Sequence, residues 1–365
     1  MTSAEVADDG WVEGVAARAA ALIRSFQDVS GAYPASPTFS AYRGYSWFRD
    51  GAFIADAMSA AGEVESAHAF HAWCARALVG WRDRVDVFVA GKPGDRDYSF
   101  ALPARLRLDG SEGSAEWANH QVDGIGTWLW SLGEHVKCTD SDPLRWRAAV
   151  EVAVDYLCAV GQEPCFDWWE EEPMGVHPST LACVAAGLVA ASGMGILDPA
   201  REMAIRTEAE AVERRIVDSA SGLGYVPKTE GSAAIDAAII AGVGPLGVIR
   251  GGLGLGTLEM VESRLVDGEA VYRFSADRYY GGGPWPLLSA MLGLAWLEYG
   301  DRERARELLE WAASTEDIRG WIPEQARGKL LHPEGLVEWE RRWGKSATPL
   351  LWSSAMVLRL TVALR

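Results

Sequence analysis

Basic residues are scarce in this sequence. Its 365 residues include 34 Lys and Arg against 51 Asp and Glu, which gives a formal net charge of -17. Proteins that bind nucleic acid or anionic membranes need a basic surface that displaces counterions. The composition therefore argues against nucleic acid and membrane as partners, whereas a neutral ligand meets no such repulsion.

Long apolar runs and closely paired cysteines are also missing. No stretch approaches the roughly 18 uncharged apolar residues of a membrane span, and the opening MTSAEVADDGW has neither the basic nor the apolar part of a secretory leader. The odd number of cysteines, without any C-x-x-C pair, favours free buried thiols in a reducing compartment. These cysteines are Cys74, Cys138, Cys158, Cys165 and Cys183. We therefore expect a soluble, cytoplasmic protein.

Alternating strand patterns are nearly absent, and Val85–Val89 is the one short segment that resembles a strand. Apolar residues instead recur at three-to-four spacing in twelve segments, which predicts helices. The predicted helices are Val12–Phe26, Gly51–Ala61, Glu65–Trp81, Gly124–Val136, Pro143–Leu157 with Asp142 as N-cap, Pro178–Ala191, Pro199–Ile216, Ser232–Ile240, Leu253–Glu262, Pro284–Tyr299, Arg302–Ala313 and Pro349–Leu364. Without heptads or a dividing linker, they predict one all-α domain over residues 1–365, as a closed α/α toroid or an irregular bundle.

Four long segments between these helices carry most of the tryptophan and carboxylate clusters. Long irregular segments in a compact domain are usually functional. They are Gly31–Tyr45, Ala90–Glu116, Val160–His177 and Thr315–Ala347. The chain has 17 Trp, and an indole can stack on the C–H face of a sugar while its N–H bonds a hydroxyl. An indole can stack on a nucleic acid base in the same way, but the net charge already disfavours nucleic acid.

Two clusters pair aromatic residues with acids. YSWFRDG, at residues 45–51, contains Arg49 and Asp50, a donor and acceptor pair suited to sugar hydroxyls, although Asp50 could also cap a helix. FDWWEEE, at residues 166–172, places glutamates beside Trp168 and Trp169. Burial there would raise the pKa of a carboxyl group and keep it protonated as a general acid, while the plain alternative is a solvated run of glutamates.

Two further clusters lie near the carboxyl end. Glu324 follows an aromatic residue and a proline in GWIPEQARG. The stretch YRFSADRYYGGGPW supplies Arg273, Tyr279, Tyr280 and Trp285. By itself the second cluster could be a turn that leads into a helix. Taken one by one, these patterns leave the function open.

Patterns for a cofactor or a metal are weak. Residues 242–247 match G-x-G-x-x-G, but Pro245 removes an N–H that phosphates would need and no strand precedes the match. His68, His71 and Cys74 share a helix face without a fourth ligand. We expect neither a cofactor nor a metal.

Read in order, the clusters resemble the inverting glucoamylase-type enzymes, glycoside hydrolase family 15. Several blocks occur in the family's order between Tyr42 and Ala363, which is more specific than any block alone. The blocks are W-x-R-D at residues 47–50, W-x-x-x-Q-x-D-G at 117–124, D-x-W-E-E at 167–171, R-x-x-x-D-x-Y-Y-x-G-x-P-W at 273–285, P-E-Q at 323–325 and P-L-x-W-S-x-A at 349–355. The resemblance implies an (α/α)6 barrel of six helical hairpins, without the N-terminal β-sandwich of some bacterial relatives.

The resemblance also implies roles for individual residues. Glu170 corresponds to the general acid and Glu324 to the general base. Tyr42 or Tyr45 would lie near the attacking water, because Gly44 leaves the register open. The implied substrate-binding residues are Trp47, Arg49, Asp50, Trp117, Trp169, Glu171, Arg273 and Trp285.

The expected reaction is release of β-glucose from the nonreducing end of small α-glucosides, such as isomaltose or short isomalto- and malto-oligosaccharides. An inverting pair of carboxyl groups should stand about 6.5–9.5 Å apart to leave room for water. Phe274 replaces a tyrosine of many members, which leaves linkage and chain-length preference open. Two alternatives stay open: a trehalase of the same fold, and a noncatalytic sugar-binding protein, which would be expected to lack the acid or the base.

Overall fold

A computed structural model describes residues 3–113, 117–139 and 142–365, with only the backbone described at residues 3–9. Fourteen α-helices lie in these ranges: α1 Ser3–Phe26, α2 Phe48–Ala60, α3 Val64–Gly80, α4 Arg82–Ala90, α5 Asp123–Cys138, α6 Arg147–Val160, α7 Pro178–Gly193, α8 Pro199–Ser219, α9 Ile240–Val243, α10 Gly251–Leu265, α11 Pro286–Leu297, α12 Arg302–Ser314, α13 Leu336–Trp343 and α14 Leu351–Ala363. Four short strands form two antiparallel ribbons, β1 with β2 and β3 with β4: β1 Tyr45–Trp47, β2 Arg105–Arg107, β3 Val266–Asp267 and β4 Ala270–Val271.

Six helices close an inner ring. In ring order they are α2, α5, α7, α9, α11 and α14, and α14 packs back on α2. Nearly every residue of α7 and α11 is buried, because an inner helix has neighbours on all sides. The short α9 is extended by a buried 3₁₀ turn at Ala237–Ile239.

Six further helices cover the ring from outside: α1, α3, α6, α8, α10 and α12. An outer helix buries one face only, as α8 shows with Ile205, Ala209, Val212 and Ile216 at alternating spacings of four and three. Each outer helix packs against an inner one, so the architecture is an all-α (α/α)6 barrel. The predicted closed toroid is confirmed. The described residues before β1 form α1 and a loop and contain no sheet.

Two local predictions are wrong. Val85–Val89, predicted as a strand, lies inside α4, where Val85 and Phe88 are buried three residues apart, at helical spacing. Ser232–Ile240, predicted as one helix, has no regular structure up to Asp236, after which a 3₁₀ turn leads into α9 at Ile240. In both segments the contacts with neighbouring elements decide the conformation, not the local apolar pattern.

The inner helices α5 and α7 approach so closely that only glycine fits at their crossing. A Cβ at Gly126 would stand 2.4 Å from the Cys183 carbonyl oxygen, and one at Gly187 would stand 2.5 Å from the Gly126 oxygen. The obstructing atoms are backbone, which cannot rotate away. This pair of glycines therefore sets the helix separation on one side of the ring.

Substituting Gly126→Ala should lower the free energy of unfolding by about 1–3 kcal/mol, because α7 must shift to admit the methyl group. The midpoint of urea denaturation measures this loss. Gly193→Ala, at the end of α7, is the matched control, since an added Cβ there meets nothing within 4 Å. Equal destabilisation by both substitutions would contradict the close-approach explanation.

The barrel presents its connecting segments at the end where the inner helices begin. Trp47 immediately precedes α2, Trp285 immediately precedes α11, and Leu350 immediately precedes α14. The segments before α5 and α7 reach the same end and carry Trp117 and Glu170. None of the helices in the described ranges has the length and apolar character needed to cross a bilayer.

Candidate active site

A cavity of about 340 Å³ lies at this end of the barrel, among the segments that enter the inner helices. Eight tryptophans contribute to its wall. Its volume falls near the lower end of the range of about 300–1,000 Å³ for small-molecule sites. Among its lining residues are eleven that the sequence singles out: Tyr42, Trp47, Arg49, Asp50, Trp117, Trp169, Glu170, Glu171, Arg273, Trp285 and Glu324.

Glu170 is held on one wall by three donors. The indole N–H of Trp47 donates to Oε1 at 2.8 Å, the indole N–H of Trp117 donates to Oε2 at 2.7 Å, and the Gln121 amide donates to Oε1 at 3.0 Å. The Arg49 guanidinium lies 3.8 Å from the same Oε1. Burial raises the pKa of Glu170, while Arg49 and the three donors lower it in part.

The backbone of Glu170 is strained. Its φ of +65° lies in the left-handed region, which costs a residue with a side chain about 1–2 kcal/mol. Asp167 stabilises this turn, because its Oδ1 accepts from the N–H groups of Glu171 at 2.8 Å and Glu172 at 3.1 Å. The Asp167 carbonyl accepts from the N–H of Glu170 itself. The D-x-W-E-E spacing thus has a local reason, since the aspartate fixes the turn that presents Glu170.

Glu324 is held by three hydroxyl groups. Tyr42 donates to Oε1 at 2.9 Å, whereas Tyr279 at 3.1 Å and Ser346 at 3.2 Å donate to Oε2. The two tyrosine oxygens lie 2.9 Å apart. Glu324 is only 2% exposed, and this burial raises its pKa to about 7, while the hydroxyl donors keep it from rising further.

Tyr42 and Tyr45, the two tyrosines left open by the sequence, lie in different places. Tyr42 contacts Glu324, as described above. Tyr45 is not part of the cavity lining, and its ring instead lies against the guanidinium of Arg105. The strand β1 begins at Tyr45, so its side chain follows the ribbon and not the cavity wall.

Arg49 and Asp50 form a buried charged pair that does not use all of its hydrogen-bonding atoms within the described residues. Arg49 donates to Gln121 at 3.0 Å and to Asp123 at 2.8 Å. Its Nε stands 3.6 Å from Asp50 Oδ2, and neither atom has a hydrogen-bond partner among the described residues. Asp50 lies within α2, whose N-cap is Trp47, so Asp50 is not the cap. Groups left open in this way fit sugar hydroxyls.

Arg273 lies on another part of the wall. Its Nε donates to Asp277 at 2.8 Å, and its terminal nitrogen donates to Glu171 at 2.8 Å. Its guanidinium carbon stands 5.0 Å from the centre of the Trp169 ring and 5.3 Å from that of Trp285. The ion pairs and the rings fix the guanidinium, so little conformational freedom remains to be lost on binding.

Residues 12–319 match the sequence model of the family described as "Glycosyl hydrolases family 15". The chain belongs to this family. It is therefore a glycoside hydrolase, with the resemblance of its sequence blocks confirmed.

This family 15 hydrolase is similar to known proteins in sequence and in structure. An isomaltose glucohydrolase from Kribbella flavida is 44% identical over 347 residues, which are 93% of this chain and 90% of that protein. A solved glycosidase variant in complex with glucose is 40% identical, with a TM-score of 0.94 over 100% of this chain and 99% of that one. A bacterial glucoamylase complexed with acarbose is 19% identical, with a TM-score of 0.74 over 96% of this chain and 55% of the other, which shows the shared fold.

Several residues of the family 15 cavity were missed from the sequence. Trp339, Arg342 and Trp343 come from α13, inside a segment that was predicted to be a loop. The signal was the four-residue spacing of the two tryptophans, which places them on one helix face. Tyr279 was visible in the block at 273–285 but was not singled out as a site residue.

The weak metal pattern finds no support in the described ranges. No group of three or more His, Cys, Asp or Glu side chains there could hold a metal ion. His71 and Cys74 are buried in α3, where the His71 ring packs against His135 at 4.9 Å. Burial lowers the pKa of His71, so its ring stays neutral within the core.

Proposed function

We propose that this enzyme releases β-glucose from the nonreducing end of small α-glucosides, with isomaltose as its preferred substrate, by an inverting mechanism in the cytoplasm. One observation carries the mechanism. The partly buried carboxyl group of Glu170 and the buried one of Glu324 line one small aromatic cavity and share no hydrogen-bond partner among the described residues. Two such groups on separate networks can hold different protonation states.

Glu170 acts as the general acid in this proposal. Burial favours its protonated form, which gives its proton to the glycosidic oxygen as the bond to the leaving sugar breaks. The carboxylate that results is then stabilised by the indoles of Trp47 and Trp117 and by Gln121. Hydrogen bonds that strengthen with the developing charge lower the barrier to bond cleavage.

Glu324 acts as the general base. In its ionised form it accepts a proton from the water that attacks the anomeric carbon from the face opposite the leaving group. The Tyr42 hydroxyl, bonded to Glu324 at 2.9 Å, helps to position that water. Attack from this side inverts the α-configuration and gives β-glucose.

The remaining lining residues hold the sugar. Arg49, Asp50 and Arg273 bind hydroxyls of the nonreducing glucose, because they present charged donors and acceptors in the cavity wall. Arg49 and Asp50 each have a polar atom without a hydrogen-bond partner among the described residues. Glu171 contacts the leaving sugar. The indoles that supply apolar faces are those of Trp47, Trp117, Trp169 and Trp285.

The preference for isomaltose is supported by the 44% identical relative that bears this substrate in its name. A panel of isomaltose, maltose, kojibiose and trehalose, with released glucose as the readout, tests the preference. We expect the highest kcat/KM on isomaltose. The highest value on trehalose would establish the trehalase alternative, and calorimetric binding of a sugar without any product would establish a noncatalytic binding protein.

The ionisation of Glu324 should determine the acidic limb of the pH profile of kcat/KM. A base with a pKa of about 7 loses activity as the pH falls below that value, because its protonated form cannot accept a proton from water. In Tyr279→Phe, one donor to the ionised carboxylate is lost and the pKa rises. The acidic limb should then move upward by about one pH unit, since a hydrogen bond to a charged group contributes about 1.5 kcal/mol.

Tyr280→Phe is the control for this shift. The Tyr280 hydroxyl donates to the Gly344 carbonyl and not to Glu324, so the acidic limb should keep its position. Profiles measured from pH 4 to pH 9 on isomaltose separate the two variants. An unchanged limb in Tyr279→Phe would exclude Glu324 as the group that controls it.

A further inference from the structure

Arg105 is a buried cation that has no partner carboxylate in the part of the chain that the structure describes. It is 5% exposed, and no Asp or Glu of the described residues lies within ion-pair distance of it. Among the described residues, its side chain makes one hydrogen bond, from a guanidinium nitrogen to the Ala41 carbonyl at 3.1 Å. Buried charges are normally paired, because removal from water costs several kcal/mol per ion. The position of Arg105 therefore needs a reason other than an ion pair.

The guanidinium is surrounded by aromatic rings instead. Its central carbon lies 3.5 Å from the centre of the Trp117 ring, 4.1 Å from that of Tyr45 and 5.5 Å from that of Trp47. A planar guanidinium stacks on such rings through cation–π attraction, which a lysine ammonium does not match in shape. The strand pairing places Arg105 directly opposite Trp47, so the ribbon fixes the contact.

Two of these rings hold the carboxyl group of Glu170. The indole N–H groups of Trp47 and Trp117 donate to its two different oxygens. Both rings belong to a small aromatic cluster that is separate from the main core of the barrel. The two indoles lie 5.9 Å apart between ring centres, and the Tyr42 ring packs on Trp47 at 5.4 Å. Arg105 is the cation that contacts both indoles from the side of the ribbon.

We propose that Arg105 is a positioning residue for Glu170: by stacking, it fixes the two indoles that orient the general acid, and the acid step depends on it. The inference rests on the proposed function, since it assigns Glu170 the proton transfer. Arg105 does not touch the reacting atoms. The Tyr45 ring stacks on the same guanidinium and so helps to hold Arg105 in position.

The leaving group of the substrate separates this role from a general structural one. Cleavage of isomaltose needs protonation of a sugar alkoxide, whereas fluoride leaves α-glucosyl fluoride with little help from an acid. In Arg105→Gln we expect kcat on isomaltose to fall by about 10- to 100-fold, and kcat on the fluoride by about threefold or less. The retained activity on the fluoride also shows that the variant is folded and that Glu324 works.

Arg105→Lys and Arg107→Gln complete the experiment. The lysine variant keeps the charge but not the planar stacking, so it should lose isomaltose activity selectively as well. If the glutamine variant does not fold, the lysine variant still allows the loss of kcat on isomaltose to be compared with the loss on α-glucosyl fluoride. Arg107 lies on the same strand with an exposed side chain, and its substitution should leave both activities unchanged.

Three outcomes would overturn the inference. They are an equal loss on both substrates in the Arg105 variants, no loss on isomaltose, or full isomaltose activity in Arg105→Lys, which would make charge alone sufficient. Failure of the proposed function looks different, because the unsubstituted enzyme would then fail to release glucose from isomaltose and from α-glucosyl fluoride.

Discussion

Glu324→Gln should lower kcat by about two to four orders of magnitude on isomaltose and on α-glucosyl fluoride alike. Both substrates need an activated water at the anomeric carbon, whatever the leaving group. Glutamine keeps the size of the side chain and can still accept from Tyr42 and Tyr279, but it cannot take a proton from water. Steady-state kinetics on the two substrates measure the loss.

The stability of this variant should not fall. Burial raises the pKa of Glu324 to about 7, which shows that its ionised form is disfavoured in the cavity relative to water. A neutral amide removes that penalty at pH 8 and should leave the unfolding midpoint equal or slightly higher. A large drop in stability together with lost activity would mean that the side chain is structural and not the base.

Glu170→Gln should show a different pattern on the same two substrates. We expect kcat on isomaltose to fall by about two to four orders of magnitude, because no group remains to protonate the leaving oxygen. On α-glucosyl fluoride the loss should stay within about tenfold, since fluoride needs little protonation. Burial raises the pKa of both glutamates, so the direction of the shift alone does not distinguish acid from base, whereas the leaving group does.

The comparison of the two variants therefore assigns the roles. If Glu170→Gln lost both activities while Glu324→Gln spared the fluoride, the two assignments would have to be exchanged. Near-normal turnover of isomaltose in either variant would remove that residue from the mechanism. Gln121→Ala should lower kcat on isomaltose less than Glu170→Gln does, because it removes one donor to Glu170 and leaves the two indole donors in place.

Much of the cavity could be predicted from the sequence because its residues occur in short blocks before helices. Trp47 and Trp285 stand directly before α2 and α11, and Pro286 opens α11 at a position where proline favours a helix start. The apolar periodicity of the inner helices showed where the segments between them lie. Glu170 and Glu324 stand far apart in the chain, and their pairing came from the family resemblance and not from periodicity.

Contacts between distant segments could not be predicted in the same way. Helix α13 was missed because it buries none of its residues fully and lies in a segment rich in charges. Arg105 was missed because nothing in ALPARLRLDG distinguishes it from its neighbour Arg107. Its environment depends on the pairing of β1 with β2, two three-residue strands whose association is set by the packing of the barrel.

The same limit explains the choice between Tyr42 and Tyr45. Both precede the W-x-R-D block, and both are aromatic with a hydroxyl group. Tyr42 lies in the turn before β1 and reaches Glu324, whereas Tyr45 is the first residue of the strand and lies against Arg105. One strand boundary separates the two positions, and such a boundary is the least certain feature of a sequence-based prediction.

Proton NMR of isomaltose hydrolysis, recorded within the first minutes before mutarotation, tests the central proposal most directly. The anomeric signal of released glucose reports the face from which water attacked. Inversion by Glu170 and Glu324 predicts that β-glucose appears first and that the α-anomer follows only at the rate of spontaneous mutarotation. Initial release of α-glucose would contradict the proposed mechanism, because it requires a covalent intermediate and a second displacement.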